Sequence, residues 1–342
     1  MIRIALVFTT HAPWRLRRYN YFDVGRDHDY FDLEATRRRI AGLDAASLEP
    51  AAALLATALA RRPRFVFGLA LSGPLLDQLA LGAPARIPAL RALVETGRVE
   101  PLSQTSHRSL LWAFSPTELA IQIRGHRDRV ERDLGRRPAV FGGEDSGDPA
   151  ALAALLEPEG FLGRLELGAD ALELPSDPSA WLSEGADGIL PVRVDLATVG
   201  RARMAGSLER LGRWIDAASD SSAVRFVAPS EALEAGGRER PAAPARPAPN
   251  ELQRDALTAL AGLEAPIRAA GDPRTLEDYR RLTGSDHIAA MALPRGADRA
   301  DGRPSPDSPY ETYMAFRHAL SDLELRAGRA DPRRASPLRM PA

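Results

Sequence analysis

The chain has 342 residues, with 45 basic and 46 acidic side chains and a formal net charge of -1. This length accommodates one large α/β domain and a smaller companion, because single hydrophobic cores stop growing at roughly 250 to 300 residues. The charge balance excludes a general attraction to nucleic acid or to an anionic membrane, so neither is predicted as a partner.

Composition narrows the class of protein further. The absence of cysteine excludes disulfides, thiolate metal sites and cysteine nucleophiles. Every basic residue is arginine, which we interpret as the codon bias of a GC-rich bacterial genome. The apolar start, residues 2–8, has the length of a strand rather than of a signal peptide, and no apolar run approaches the roughly 20 residues that span a bilayer. We therefore expect a soluble, cytoplasmic protein.

Strand and helix patterns alternate through the first two thirds of the chain. Apolar, β-branched segments predict strands at residues 2–8, 64–70, 99–103, 139–141, 161–167, 189–195 and 224–227. Amphipathic segments predict helices at residues 51–60, 87–96, 115–134, 149–157 and 207–218, with a further helical turn from 229. Repeated βα units predict a parallel sheet, either a barrel or an open doubly wound sheet.

The last third of the chain changes character. Proline and alanine remove any apolar periodicity from residues 236–250, which we interpret as a linker or a long surface loop. Helical patterns resume at residues 251–261, 275–282 and 309–326. The predicted domains are a β/α domain at 1–235, a small helical domain at 251–327 and a disordered tail at 328–342.

Polar side chains stand near the ends of several predicted strands. His11 and Trp14 follow the first strand, where an imidazole and an aromatic face suit a sugar site. They also suit a capping histidine and an aromatic ring packed under the sheet. Glu100, at the start of a strand, is a further candidate. Asp195 ends a strand, so its carboxylate could line a site at the carboxyl edge of the sheet. Asp195 could instead cap the following turn.

Two acids, Glu144 and Asp145, follow the fourth predicted strand. Glycoside cleavage with retention needs two carboxyl groups about 5 to 5.5 Å apart, and either acid could form such a pair with Asp195. Asp286 and His287 are a further candidate pair, although such pairs are often surface or helix-capping groups. Metalloprotease, Walker and hydrolase-elbow motifs are missing, so neither a metal nor another cofactor is predicted.

Five segments, taken in order, resemble conserved regions of glycoside hydrolase family 57, the α-amylase and glucanotransferase family. They span residues 2–326 and contain HAPWRL, GRVEPLSQTSHRSLLW with the helix behind it, VDLATVG, YRRLTGSDHIAAM and SPYETYMAFRHALSDLE. The resemblance implies an incomplete (β/α)7 barrel followed by a small helical C-terminal domain. It also implies a retaining reaction on an α-glucan or maltooligosaccharide.

The resemblance assigns roles to the candidate residues. Asp195 would be the acid/base, with Asp145 or Glu144 as nucleophile. The residues implied to bind sugar are His11, Trp14, Glu100, Asp286 and His287.

One departure from the family concerns the nucleophile. The family's strand reads Phe-Arg-Asn-Thr-Glu-Leu, so an ungapped count from Phe141 places its glutamate on Asp145 and its threonine on Glu144. Aspartate is one methylene shorter, which retracts the carboxylate by about 1 Å, and misplacement on that scale can cost on the order of a hundredfold in rate.

Other departures remove sugar-binding groups. Ala289 and Ala290 replace two tyrosines, Ala197 replaces a glutamate, Arg201-Ala202 replaces Glu-His, and the chain before Asp195 is short for an amylase. We therefore predict a divergent α-glucan-active hydrolase that is weak or degenerate. The alternatives are an inactive carbohydrate-binding or regulatory pseudoenzyme, and a barrel acting on a different sugar. The oligomeric state is left open.

Overall fold

A computed structural model describes most of the chain, namely residues 1–109, 111, 114–142, 149–165, 189–199, 206–235, 249–293 and 307–330. Glu144, Asp145 and most of the predicted linker and tail lie outside the described residues. The chain forms two compact units. Unit 1 comprises residues 1–12, 37–108 and 116–246, and unit 2 comprises residues 13–36, 109–115 and 247–342.

Unit 1 is built on parallel strands. They are β1 (Ile2–Thr10), β2 (Phe67–Leu71), β3 (Val99–Pro101), β4 (Val140–Phe141), β5 (Gly163–Arg164), β6 (Ile189–Asp195) and β7 (Val224–Phe226). The central strand β1 pairs with β2, β6 and β7, and β3 pairs with β2. A parallel bridge from Ser103 to Phe141 leads to the pair β4–β5. The predicted parallel sheet is confirmed.

Helices follow most of these strands. They are α1 (Leu33–Leu43), α2 (Glu49–Arg61), α3 (Gly73–Gly82), α4 (Arg86–Glu95), α5 (Pro116–Leu134), α6 (Pro149–Leu156), α7 (Leu196–Val199), α8 (Ser207–Asp220) and α9 (Pro229–Glu234). A π-helical turn, Asp44–Leu48, joins α1 to α2. The core of unit 1 lies between β1 and these helices: Phe8 is fully buried and meets the Phe67 ring edge-on at 5.1 Å. Burial of each such side chain contributes about 1.5–3 kcal/mol.

The helical stretch Leu33–Arg61 is long and apolar enough to cross a membrane by length and composition, contrary to the prediction that no apolar run approaches that length. Core helices of soluble proteins meet the same criterion. Leu55 and Leu59 in this stretch are buried in the core of unit 1. Of its most apolar 18-residue window, 33% is buried inside the protein.

The start of α3 is fixed by close backbone contact. Ser72, directly after β2, donates its backbone N–H to Thr10 O at 3.1 Å and caps α3 by accepting from Leu75 N at 3.3 Å. A Cβ at Gly73 would lie 1.9 Å from the Ser106 carbonyl oxygen, so only glycine fits there. These contacts fix the position of the Ser72 hydroxyl at the carboxyl edge of the sheet.

Unit 2 contains the C-terminal helices, α10 (Glu251–Ala270), α11 (Pro273–Leu282), α12 (Ser285–Ala290) and α13 (Pro309–Ala330). Asn250 and Gln253 form a capping box that starts α10. This helix was predicted to end at residue 261, but it continues past Pro266 because Leu263 and Ile267 are buried. The α13 helix continues to Ala330, beyond its predicted end.

Segment 13–36 is tied to α13 by a buried carboxylate. Asp322 is fully buried and accepts hydrogen bonds from Gly25 N at 2.6 Å and from the Tyr30 hydroxyl at 2.6 Å. His28 Nδ1 lies 2.7 Å from its second oxygen, and Arg326 donates to the Tyr30 hydroxyl at 3.0 Å. Burial, with the hydrogen bond to Asp322, raises the pKa of Tyr30, so the phenol stays a proton donor. We call these five residues the Asp322 cluster.

Candidate functional site

Two predicted site residues lie on neighbouring strands at the carboxyl edge of the sheet. Asp195 is the last residue of β6 and pairs in register with Thr9 of β1, while His11 follows the end of β1. His11 Nδ1 lies 2.8 Å from the hydroxyl of Ser72, which follows β2. Three adjacent strands therefore end in a carboxylate, an imidazole and a hydroxyl, a common arrangement for sites on parallel sheets.

The Asp195 carboxylate also caps the next helix. Its Oδ1 accepts a hydrogen bond from Ala197 N at 2.9 Å, at the start of α7. The predicted capping role is therefore present, and it fixes the direction of one carboxylate oxygen. This contact alone does not exclude an acid/base role for the side chain.

Glu100 lies deeper than the edge of the sheet. In the register of the sheet, Glu100 lies opposite Gly68 of β2. Gly68 lies opposite Val7 of β1, which lies opposite Arg193 of β6. Glu100 is therefore level with Arg193, two residues before Asp195, or about 6.6 Å along the strand direction. The buried carboxylate accepts from the backbone N of Ser230 at 3.0 Å and from its hydroxyl at 2.9 Å. These bonds anchor α9, and the sugar-binding role of Glu100 stays a prediction.

Sequence reasoning missed a buried histidine beneath this edge. His126 on α5 donates from Nε2 to Leu71 O at 2.9 Å, and its Nδ1 accepts from Gln104 N at 3.0 Å. It joins the end of β2 to the segment after β3. The helical periodicity of the sequence could have revealed it, because His126 lies on the same buried face of α5 as Ile123 and Val130.

Burial lowers the pKa of His126 to about 4. In the unfolded chain this imidazole has its ordinary pKa of 6.5. The contribution of neutral His126 to the free energy of unfolding is therefore complete above pH 6.5 and is lost as the pH falls towards 4. From pH 6.5 to 5 we expect His126 to account for a loss of about 2 kcal/mol in the free energy of unfolding. Urea titrations at several pH values measure this slope.

The control for this prediction is His126→Gln, which keeps a donor for the Leu71 carbonyl but does not titrate. We expect the variant to lose less stability than the parent over the same pH interval, whatever its stability at pH 7. Equal slopes for the two proteins would contradict the assignment of this proton to His126.

Unit 2 contains a cavity of about 300 Å³ that brings together three other predicted residues, Trp14, Asp286 and His287. Ala289 and Ala290 also line it, at the positions where the resemblance predicts tyrosines. The volume falls at the lower end of the usual range for small-molecule sites, about 300–1,000 Å³. The proximity of Trp14 to residues more than 270 positions later was not deducible from spacing.

The tryptophan and histidine of this cavity are held by packing. Trp14 is 4% exposed, with the Arg281 guanidinium 4.5 Å from its ring centroid and the Phe31 ring at 5.7 Å. Its indole N–H is buried and has no hydrogen-bond partner in the part of the chain that the structure describes. His287 is also buried, and its Nε2 lies 3.1 Å from Arg281 O. Both side chains are therefore held in defined positions from which they could contact a ligand.

Comparison with known protein families supports the predicted family resemblance. Residues 5–161 match the family model described as glycosyl hydrolase family 57. The predicted resemblance to family 57 is confirmed. None of the curated protein sequences compared matches the chain.

Solved structures of family 57 enzymes share the fold. The α-amylase from Thermotoga maritima is 11% identical with a TM-score of 0.63, covering 98% of this chain and 94% of its own. The 4-α-glucanotransferase from Thermococcus litoralis is 14% identical with a TM-score of 0.62, over 84% of this chain but 56% of its own. The GH57-type branching enzyme from Pyrococcus horikoshii is 12% identical with a TM-score of 0.57, over 96% and 88%. This chain thus spans little more than half the length of the glucanotransferase.

These likenesses confirm the predicted fold class, an α/β barrel with a helical C-terminal region, which is the fold of the family 57 enzymes. They leave the predicted chemistry of individual residues untested. The structure groups His11 with Asp195 in unit 1, and Trp14 with Asp286 and His287 in unit 2. Within the described ranges, no three His, Asp or Glu side chains cluster so that they could hold a metal ion.

Proposed function

We propose that this family 57-like chain is an α-glucan-active glycoside hydrolase of low activity. The observation that carries the proposal is the position of Asp195 at the end of β6, beside the end of β1 and His11. In this proposal Asp195 is the acid/base, Asp145 or Glu144 attacks the anomeric carbon, and configuration is retained. The glucanotransferase, branching enzyme and amylase with the same fold support an α-glucan as substrate.

Three features support low rather than high activity. Asp145 carries a shorter side chain than the family's nucleophile, one oxygen of Asp195 is engaged by Ala197 N, and alanines line the cavity in place of tyrosines. Loss of aromatic faces removes stacking surface for sugar rings. Weak binding and slow turnover are both expected from these changes.

Release of reducing ends from glycogen and maltooligosaccharides at high protein concentration tests this proposal. We expect slow, linear release, with the new reducing end first appearing as the α-anomer because two inversions restore the configuration. Complete absence of release over long incubation would contradict hydrolysis and would make the acids remnants of an ancestral site.

A second candidate function is a pseudoenzyme that binds glucan without cleaving it. The preserved cavity with Trp14, Asp286 and His287 favours this reading, because these groups suit binding and do not by themselves perform hydrolysis. Titration with maltoheptaose separates the candidates. Saturable binding without released sugar supports the pseudoenzyme, and no binding at all would contradict both candidates.

A further inference from the structure

Unit 2 exposes large aromatic side chains next to its cavity. Tyr21 is 72% exposed, Phe22 is 76% exposed and Tyr310 is 60% exposed. Grouped apolar side chains exposed in this way often mark a binding surface, whereas single ones need no explanation. We call Tyr21, Phe22, Tyr310 and His318 the aromatic platform.

The platform is continuous with the cavity. Tyr310 and His318 line the cavity and stand about 12 Å apart along α13, since each residue advances the helix by 1.5 Å. The Tyr21 ring centroid lies 6.4 Å from that of His318, and Phe22 lies 5.8 Å from Tyr21. A ligand that fills the cavity and extends past His318 therefore meets Tyr21 and Phe22 next.

The backbone that carries Tyr21 and Phe22 is held in place. Asn20 and Asp23 form a capping box around their short 3-10 turn: Asn20 N donates to Asp23 Oδ2 at 2.9 Å, and Phe22 N donates to Asn20 Oδ1 at 2.9 Å. Gly25 N is fixed by Asp322 just after the turn. The exposed rings thus stand on an ordered turn, which lowers the entropic cost of binding.

The surroundings of the platform favour a sugar chain. Arg18 pairs with Asp307 at 2.9 Å, and these residues and Glu311 line the same cavity. A sugar ring presents an apolar face to aromatics and hydroxyl groups to charged side chains, so alternating rings and charges match it. The core of a protein interface is depleted of charges. Nucleic acid needs unpaired basic groups for its phosphates, and here Arg18 is paired with an acid.

We propose that the aromatic platform binds the part of an α-glucan chain that extends beyond the cavity. This inference rests on the proposed function, because it takes α-glucan as the ligand. The cavity volume of about 300 Å³ is small for an oligosaccharide, so a longer chain must leave it past the rim. The platform therefore adds affinity for long chains and none for short ones.

Calorimetric titration of the full chain with maltose and maltoheptaose tests the platform. For Tyr21→Ala/Phe22→Ala we expect the affinity for maltoheptaose to fall about tenfold, since aromatic contacts contribute about 0.5–1.5 kcal/mol each, and the affinity for maltose to stay unchanged. The control is Leu162→Ala, which removes a side chain that is 54% exposed in unit 1 and should change neither affinity. All three side chains are exposed, so we expect the variants to fold, and thermal unfolding checks this.

The other outcomes each contradict the platform in a recognisable way. Unchanged maltoheptaose affinity in the double variant overturns the platform and leaves the proposed function standing. Equal losses for both sugars mean that the rings act through the cavity. If the parent chain binds neither sugar, the proposed function fails together with the platform. If the molecular mass in solution changes only in the double variant, the rings form an interface between two copies of the chain and not a sugar-binding surface.

Discussion

Replacement of Asp195 with asparagine is expected to lower kcat for glycogen hydrolysis by about 10²–10⁴-fold, the usual contribution of a general acid/base. An amide cannot protonate the leaving oxygen or activate water. It can still accept the hydrogen bond from Ala197 N, which Asp195 accepts at 2.9 Å, and asparagine caps helices as well as aspartate does. We therefore expect the free energy of unfolding to change by less than about 0.5 kcal/mol. Reducing-sugar assays and urea unfolding on the same preparation measure both quantities.

The matched variant Asp195→Ala separates the two roles of this side chain. Alanine removes the cap as well as the acid, so we expect the same loss of activity together with a loss of about 0.5–2 kcal/mol in stability. If Asp195→Asn retained the parental rate while Asp195→Ala lost stability, Asp195 would be only a helix cap. The acid/base assignment would then be wrong.

The nucleophile can be located once Asp195 is shown to act. The ungapped count from Phe141 favours Asp145 over Glu144. Comparison of Asp145→Ala with Glu144→Ala tests this order, because the nucleophile variant should lose hydrolysis and its neighbour should retain part of it.

Strands of the barrel were easier to predict than its helices. The β6 strand has the predicted bounds, Ile189–Asp195, because a short apolar run ends in an acid. The α3 helix was missed because it is buried on most sides, Gln78 as well as Leu75, Leu76 and Leu79, so its sequence lacks a polar face that would mark an amphipathic helix. The α10 helix runs past Pro266, where burial of neighbouring residues overrides local propensity.

The candidate site was predictable only where strand order determines it. Asp195 and His11 were expected at the carboxyl edge because parallel strands end together, and the register confirms that their strands are neighbours. Ser72 and His126 were missed, because their contacts join segments 61 and 55 positions apart. The family resemblance predicted that Trp14 and Asp286 belong to one site. No local sequence pattern predicts their proximity.

Asp322→Ala is expected to destabilise unit 2 by about 3–5 kcal/mol, the usual cost of removing one partner from a buried charged network. Gly25 N and the Tyr30 hydroxyl would lose an acceptor that they now reach at 2.6 Å inside the protein. An unsatisfied buried donor retains its full desolvation cost. Urea unfolding of the full chain, followed by a signal that reports on unit 2, measures the change.

The control is Asp255→Ala, on the same unit but at the surface. Asp255 is 52% exposed, and it accepts from the Tyr313 hydroxyl at 2.7 Å and lies 3.4 Å from Arg317. Exposed pairs of this kind contribute about 0–1 kcal/mol, so a similar loss in both variants would contradict the Asp322 cluster as the main tie of segment 13–36. Because that segment carries Trp14 and Tyr21, its release should also weaken maltoheptaose binding, although Asp322 does not line the cavity.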